Sequence, residues 1–219
     1  MDITYLGHSC FKLRSAGASV VTDPYSSKIG LTMPKVSADV VTVSHGHDDH
    51  NNVGAVTGTA RRDKPFVIDA PGEYEIGGIS VFGVDTFHDN EEGAKRGKNT
   101  VFSILIDGVS VVHLGDLGHE LTDRQIGEIN GVDVLLVPVG GFYTIGPVEA
   151  ARVVGDLEPS ILIPMHFKTD KHNPETFEKL VGVDEFLKEL GVDQVERTDK
   201  LTVTKLSLPE EMKVVVLES

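Results

Sequence analysis

Residues 44–52 read SHGHDDHNN, and the apolar run ADVVTV at residues 38–43 directly precedes them. The run has the length and composition of a central β-strand that is buried on both faces. Because side chains alternate along an extended chain, His45 and His47 can face one point at its end, with Asp49 and His50 on the following turn. Imidazole and carboxylate are ligands of zinc and other divalent metals. We therefore favour a metal site over a polar loop that is histidine-rich by chance.

The composition of the chain is that of an ordinary globular protein. Its 219 residues, of which 40% are hydrophobic and 25% charged, predict one domain spanning residues 1–219. The formal net charge of −14 disfavours a nucleic-acid partner, because such a surface repels phosphates, and it suits a protein that holds cations. Cys10 is the single cysteine, which excludes a disulfide framework and a thiolate zinc cage and agrees with a reducing compartment.

The N-terminal residues MDITYLGHSC lack the basic region and apolar core of a signal peptide. No apolar run in the chain approaches the length that spans a bilayer. We therefore expect a cytoplasmic protein with no membrane partner.

The first half of the chain reads mostly as strands. Short apolar or alternating segments recur up to VSVVHLG at residues 109–115, and hairpin turns are predicted at Gly77-Gly78 and Asp107-Gly108.

The second half alternates strands with helices. Helices are predicted after the cap residue Thr122, from Pro147 onward, and over residues 173–190 with a break at Gly182. Residues 201–208, LTVTKLSL, and 213–218, KVVVLE, are predicted as closing strands. Strand-rich blocks interleaved with helices indicate an α+β fold, a four-layer αββα sandwich of two mixed sheets with helices outside.

Several segments resemble those of metallo-β-lactamase-fold hydrolases. Besides HGHDDH, they are TYLGHSCFKL and VVTDPY near the N-terminus, VVHLGDLGH, DVLLVPVGGFYTIGPVEA, ILIPMHF and LPEEMKVVVLE. The resemblance covers residues 3–218 and is to a subgroup of small stand-alone hydrolases, more distantly similar to ascorbate-6-phosphate lactonases. The pattern H-x-H-x-D-H is specific for this fold and says little about the substrate.

The resemblance implies three further metal ligands, His88, Asp116 and His166, each after a strand-like run. The Pro-Gly before His88 and the Thr-Pro-Gly after it that are common in the family are absent, and its alternative is an exposed strand-end histidine. The alternatives for the other two are a turn aspartate and a core histidine.

The family pattern implies two metal sites that share Asp116. One is formed by His45, His47 and His88, and the other by Asp49, His50 and His166. Zn²⁺, one or two per chain, is the expected metal, with Mn²⁺, Fe²⁺ and Ni²⁺ as alternatives. A water shared by two cations loses a proton near neutral pH and becomes a nucleophile, which Asp49 could orient as a catalytic residue.

Secondary candidates surround this set. His119 is the preferred additional catalytic residue, because GDLGH places it on the loop of the bridging aspartate. His8 and His113 are either outer contacts of the site or buried structural histidines, and Asp23 in TDPY is a candidate for supporting a ligand. His172 in KTDKHNP is predicted to lie at the surface.

The basic stretch AKRGKN at residues 94–99 is either a solvated hairpin tip or a device that steers an anionic substrate. The sequence thus predicts a metal-dependent hydrolase acting on a small, anionic ester, lactone or phosphodiester. The alternative is a metal-binding protein without hydrolytic turnover, such as a sensor or redox scaffold. Neither reading fixes the oligomeric state.

Overall fold

The computed structural model describes residues 1–193 and 195–219. The strands of this part of the chain are β1 (Asp2–Gly7), β2 (Cys10–Arg14), β3 (Ser19–Thr22), β4 (Val36–Ser37), β5 (Val40–Thr42), β6 (Val56–Thr57), β7 (Phe66–Ile68), β8 (Gly72–Ile76), β9 (Ile79–Phe87), β10 (Lys98–Ile106), β11 (Val109–His113), β12 (Val134–Pro138), β13 (Ile161–Met165), β14 (Glu196–Thr198), β15 (Lys200–Thr202) and β16 (Lys213–Leu217). The α-helices are α1 (Asp123–Ile129), α2 (Pro147–Leu157), α3 (Pro174–Phe177) and α4 (Val183–Glu189).

Two mixed sheets form the centre of the molecule. The six-stranded sheet has the order β15-β1-β2-β3-β5-β7, and the eight-stranded sheet has the order β14-β16-β13-β12-β11-β10-β9-β8. In the larger sheet β11, β12, β13, β16 and β14 run parallel, whereas β8 to β11 are antiparallel. The predicted αββα arrangement of mixed sheets is confirmed.

Apolar side chains fill three layers. The core between the sheets includes Leu13 from one sheet and Ile104 from the other. Outside the larger sheet, α2 and α4 bury side chains such as Val153 and Phe186. Outside the smaller sheet, the loop after β3 contributes Tyr25 and the short helix α3 contributes Phe177, and no long helix of the described residues lies there. The helical layer is therefore thinner on that side.

The local signals predicted from the sequence correspond to real turns and caps. Gly77-Gly78 and Asp107-Gly108 connect antiparallel neighbours, and all four residues have positive φ, as a two-residue hairpin turn of type I′ requires. Thr122 caps α1 through a capping box. Pro147 opens α2, and Gly182 separates α3 from α4.

The predicted strand over residues 201–208 is wrong in its second half. β15 ends at Thr202, and the chain turns into a 3₁₀ helix at Lys205–Ser207. The Ser207 hydroxyl accepts the N–H of Thr204, a local bond that competes with strand pairing. Cys10 is fully buried, as expected of a small apolar side chain. The longest described helix, α2, has eleven residues, so none in the described ranges could cross a bilayer.

Candidate metal centre

The predicted ligands lie where strands of both sheets end. His45 lies three residues beyond β5, His88 directly after β9, Asp116 three residues after β11, and His166 directly after β13. β9 is antiparallel to β10, which is antiparallel to β11, so β9 and β11 point their carboxyl ends to the same edge. The sheet topology therefore collects residues that are far apart in sequence.

The carboxylate of Asp116 lies among four imidazoles. Its Oδ1 is 3.3 Å from Nε2 of His50, and its Oδ2 is 3.3 Å from Nε2 of His166 and 3.4 Å from Nε2 of His88. Nε2 of His45 is 3.9 Å from Oδ2. Asp116 thus faces ligand atoms from both predicted sites, as a bridging carboxylate must.

Two groups of ligand atoms flank Asp116. In one, those of His45, His47 and His88 lie within 4.8 Å of one another, and His47 is its exposed member. The other group combines His50, Asp49, His166 and His8, again within 4.8 Å. The seven predicted ligands are therefore brought together, with His8 added to the second group. The two groups adjoin, because ligand atoms of Asp23, His45 and His50 also lie within 4.8 Å of one another.

Asp23 determines which nitrogen of two ligands is free. It accepts the Nδ1–H of His50 at 2.8 Å and the hydroxyl of Ser44 at 2.5 Å. Since that hydroxyl donates to Asp23, it accepts the Nδ1–H of His45 at 3.0 Å. Nδ1 of each ring is thus engaged, and Nε2 is the atom turned towards Asp116. Such outer partners fix ligand orientation in metal sites.

The buried ends of this cluster are otherwise unsatisfied. Among the described residues, Nε2 of His45, His50 and His166 and Oδ1 of Asp116 have no hydrogen-bond partner. Buried polar atoms are rarely left unpaired, because each costs about 1–3 kcal/mol. Imidazole nitrogens and carboxylate oxygens are the donor set of zinc and similar cations, so these residues fit divalent metals.

The electrostatics of the cluster differ from one histidine to the next. Burial disfavours the charged form and lowers the pKa of His45 to about 3, and it also lowers the pKa of His88. Burial acts in the same direction on His50, but the carboxylates of Asp116 and Asp49 outweigh it and raise the pKa of His50. A metal that binds to His50 therefore has to compete with a proton.

The side chain of Asn99 holds the loop that carries Asp116 through two hydrogen bonds. The amide oxygen of Asn99 accepts the N–H of Asp116 at 2.9 Å, and its NH₂ group donates to the carbonyl of Leu114 at 3.0 Å. Gly115 has a φ of +57°, and a Cβ there would lie 2.5 Å from Cβ of Ser44. Only glycine fits this close approach of the two loops.

Comparison with known proteins agrees with this geometry. The model of the family described as "Beta-lactamase superfamily domain" matches residues 2–166. A UPF0173 metal-dependent hydrolase of Methanopyrus kandleri is 30% identical, with 88% of this chain and 94% of the relative covered. One of Methanospirillum hungatei is 32% identical over 93% and 94% of the two chains.

The chain belongs to the UPF0173 family of metal-dependent hydrolases. A solved structure from Thermotoga maritima, described as a candidate Zn-dependent hydrolase of the metallo-β-lactamase superfamily, is 44% identical. It has a TM-score of 0.80, with 99% of this chain and 98% of that chain covered. The predicted resemblance to metallo-β-lactamase-fold hydrolases and the predicted fold are both confirmed.

In this UPF0173 chain His113 and His119 both form hydrogen bonds to backbone groups. Nε2 of His113 is 2.8 Å from the carbonyl of Ser9, and its Nδ1 accepts the N–H of Gly115. His119 accepts the N–H of Phe87 at Nε2, and its Nδ1 lies 2.7 Å from the carbonyl of Glu120. The rings of both are thus held by backbone groups. The catalytic role predicted for His119 stays a prediction that this arrangement does not favour.

The solvent exposure of His88 and His172 tests two predictions from the sequence. His88 is 2% exposed, which excludes the solvent-exposed strand-end alternative. The prediction that His172 lies at the surface is wrong, since it is 6% exposed. The N–H of Asn173 donates to the carbonyl of Ile29 at 2.7 Å and holds this polar segment against the smaller sheet's outer layer. No local pattern in KTDKHNP could have indicated that contact.

Proposed function

We propose that this protein hydrolyses a small anionic ester, lactone or phosphodiester with the help of divalent cations, zinc being the expected metal. We propose His45, His47 and His88 as ligands of one ion and Asp49, His50 and His166 as ligands of a second. The observation that carries this proposal is the Asp116 carboxylate, whose two oxygens face imidazoles of both groups. The same proposal includes a single domain over residues 1–219, a cytoplasmic location and no nucleic-acid partner.

The chain's own residues have distinct roles in this scheme. When bound, a pair of divalent cations acidifies a shared water and polarises the bond to be broken. Asp49 is assigned to accept a hydrogen bond from the attacking water and so to orient it. Burial opposes ionisation of Asp49, but the charge of His50 and the neighbouring His8 outweigh it and lower the pKa of Asp49. Its carboxylate is therefore ionised at neutral pH and can accept a hydrogen bond from the water.

A cleft of about 520 Å³ next to His45 and His47 supports an anionic substrate. Arg96 and Lys98 line this cleft, together with the carboxylates of Asp69 and Asp85. Lys98 is paired with Asp85 at 3.2 Å, whereas Arg96 forms no salt bridge within the described ranges. Arg96 is thus the cation left to bind an anionic group of the substrate.

Arg96 is held in place before any substrate arrives. Its guanidinium donates to the carbonyl of Phe142 at 3.1 Å and lies 4.9 Å from the ring centre of Tyr143. The loop behind it is folded around Asp89, whose carboxylate accepts four backbone N–H groups, including those of Lys95 and Arg96. The basic stretch is therefore an organised loop, and this favours substrate binding over a solvated hairpin tip.

Arg96→Ala should raise KM for the anionic phosphodiester bis(4-nitrophenyl) phosphate by roughly 10- to 100-fold, since hydrogen bonds to charged groups contribute about 1.5–3 kcal/mol. KM for the neutral ester 4-nitrophenyl acetate should change little. Initial rates with both substrates on the zinc-loaded protein measure this difference.

Lys95→Ala is the matched control. The Lys95 ammonium pairs with Glu91 on an exposed face and does not line the cleft. It should leave both KM values unchanged. An equal loss with the charged and the neutral substrate in Arg96→Ala would contradict the assignment of Arg96 to an anionic group.

The hydrolase proposal itself is tested by removing and restoring metal. Dialysis against a chelator should abolish hydrolysis of esters, lactones and phosphodiesters, and stoichiometric Zn²⁺ should restore it for at least one class. A fully metallated protein that is inert to all three classes would favour the alternative, a metal-binding protein without hydrolytic turnover.

A further inference from the structure

His8 is a buried histidine beside the candidate metal centre. It follows β1 with a φ of +57°, a conformation that costs a non-glycine residue energy and that clusters at functional sites. Its Nε2 forms no hydrogen bond to the described residues and is 3.4 Å from Oδ2 of Asp49, and its ring centre is 4.1 Å from that of His166. His8 is therefore either an extra metal ligand, with a lone pair on Nε2, or a donor to Asp49, with a hydrogen there.

The other ring nitrogen of His8 distinguishes these roles. Nδ1 of His8 lies 3.2 Å from Nε2 of His172, so one of the two rings donates to the other. Nδ1 of His172 accepts the backbone N–H of Thr169 at 3.2 Å and lies 2.9 Å from the Thr169 hydroxyl, which can donate to the same atom. A backbone N–H can only donate, so Nδ1 of His172 carries no hydrogen.

The position of the hydrogen on His172 then determines which nitrogen of His8 carries a hydrogen. Burial lowers the pKa of His172 to about 4, so its ring is neutral and its one hydrogen is on Nε2. That hydrogen can only be given to Nδ1 of His8. His8, in turn, carries its own hydrogen on Nε2, the atom that faces Asp49. In His45 and His50 the opposite holds, because their Nδ1–H groups donate to neighbouring oxygens and Nε2 is the atom left for a metal.

The surroundings hold both rings in this arrangement. His172 is fixed through the bond from Asn173 to Ile29, and the ring of Phe177 lies 5.2 Å from His172 and 5.3 Å from His8. The carbonyl of His8 accepts the N–H of His166 at 2.9 Å. These contacts thus fix the positions of both imidazoles.

We propose that His8 is a positioning residue whose Nε2–H donates to Asp49, and that it is not a metal ligand. Hydrogen bonds run from the Thr169 amide through His172 to His8, and they turn the Nε2–H of His8 towards the Asp49 carboxylate 3.4 Å away, which it orients at the second group of ligands. The tautomers follow from the protein's own hydrogen bonds alone. Only the consequence for metal binding rests on the proposed metal centre.

The tautomers are measured directly by long-range ¹H–¹⁵N correlation spectra of the ¹⁵N-labelled, zinc-loaded protein at neutral pH. His8→Gln and His172→Gln assign the two sets of signals. We expect the hydrogen on Nε2 in both rings of the wild type. A hydrogen on Nδ1 of His8 would overturn the proposal, since it would leave Nε2 free to bind metal.

Metal retention separates positioning from ligation in a second way. The amide of His8→Gln can still present an N–H to Asp49, so this variant should keep the wild-type number of zinc ions at close to wild-type affinity. His8→Ala should keep the same number and bind the more weakly held ion about 10- to 100-fold less tightly, the usual effect of losing an outer partner. Loss of one zinc equivalent in His8→Gln would identify a ligand. A wild type that binds no zinc would refute the metal centre while leaving the tautomer result intact.

Discussion

Asp116→Ala should reduce zinc retention by more than the roughly 10- to 100-fold that follows loss of an outer hydrogen-bond partner, and hydrolysis should fall to the uncatalysed background. The reason is position, since Asp116 is the one carboxylate in the described part of the chain that faces His50, His88 and His166 together. Its removal takes a ligand from both groups at once. Metal content per chain after gel filtration, with turnover measured on the same sample, checks both expectations.

Asp156→Ala is the matched control for the lost charge. Asp156 is exposed in the last turn of α2, which leads to the start of β13, whereas His166 follows the opposite end of that strand. It should retain wild-type zinc content and rates. An Asp116→Ala protein that is folded and still carries the wild-type complement of zinc would contradict the role assigned to this carboxylate.

Gly115→Ala should destabilise the metal-free protein by about 3 kcal/mol, which combines the cost of a left-handed backbone with that of overpacking. The added Cβ would lie 2.3 Å from Oδ1 of Asn99 and 2.5 Å from Cβ of Ser44. Both neighbours support the ligands, so zinc binding should weaken as well. The midpoint of thermal unfolding in chelator should fall by roughly 6–12 °C for a chain of this size.

Gly155→Ala provides the corresponding control in α2. A Cβ at Gly155 meets nothing within 4 Å, and alanine favours a helix over glycine by about 0.5–1 kcal/mol. The midpoint should therefore stay the same or rise slightly. If Gly115→Ala unfolded at the wild-type temperature, the loops of Ser44 and Asp116 would not be as closely packed as described.

The sequence predicted those parts of the site that depend on strand ends. An apolar strand that runs into H-x-H-x-D-H must deliver its polar residues at one edge of a sheet, and family resemblance added His88, Asp116 and His166. The hairpin turns and the starts of α1 and α2 were equally local, because a few residues determine each of them.

The features that sequence reasoning missed depend on long-range contacts. His172 reads as a surface residue within a polar turn, and it becomes buried only because Asn173 bonds to Ile29, far away in the chain. Asn99, which pins the loop of Asp116, has the appearance of an ordinary strand residue. The organised loop behind Arg96 needs four amides to converge on Asp89, which composition does not indicate.

The proposed function depends on where metal binds. The most direct measurement is anomalous scattering above and below the zinc absorption edge from crystals of the zinc-loaded protein. We expect two peaks on either side of the Asp116 carboxylate, one among His45, His47 and His88 and the other among Asp49, His50 and His166. A single peak would contradict the two-metal assignment, and no peak within this cluster would contradict the metal centre altogether.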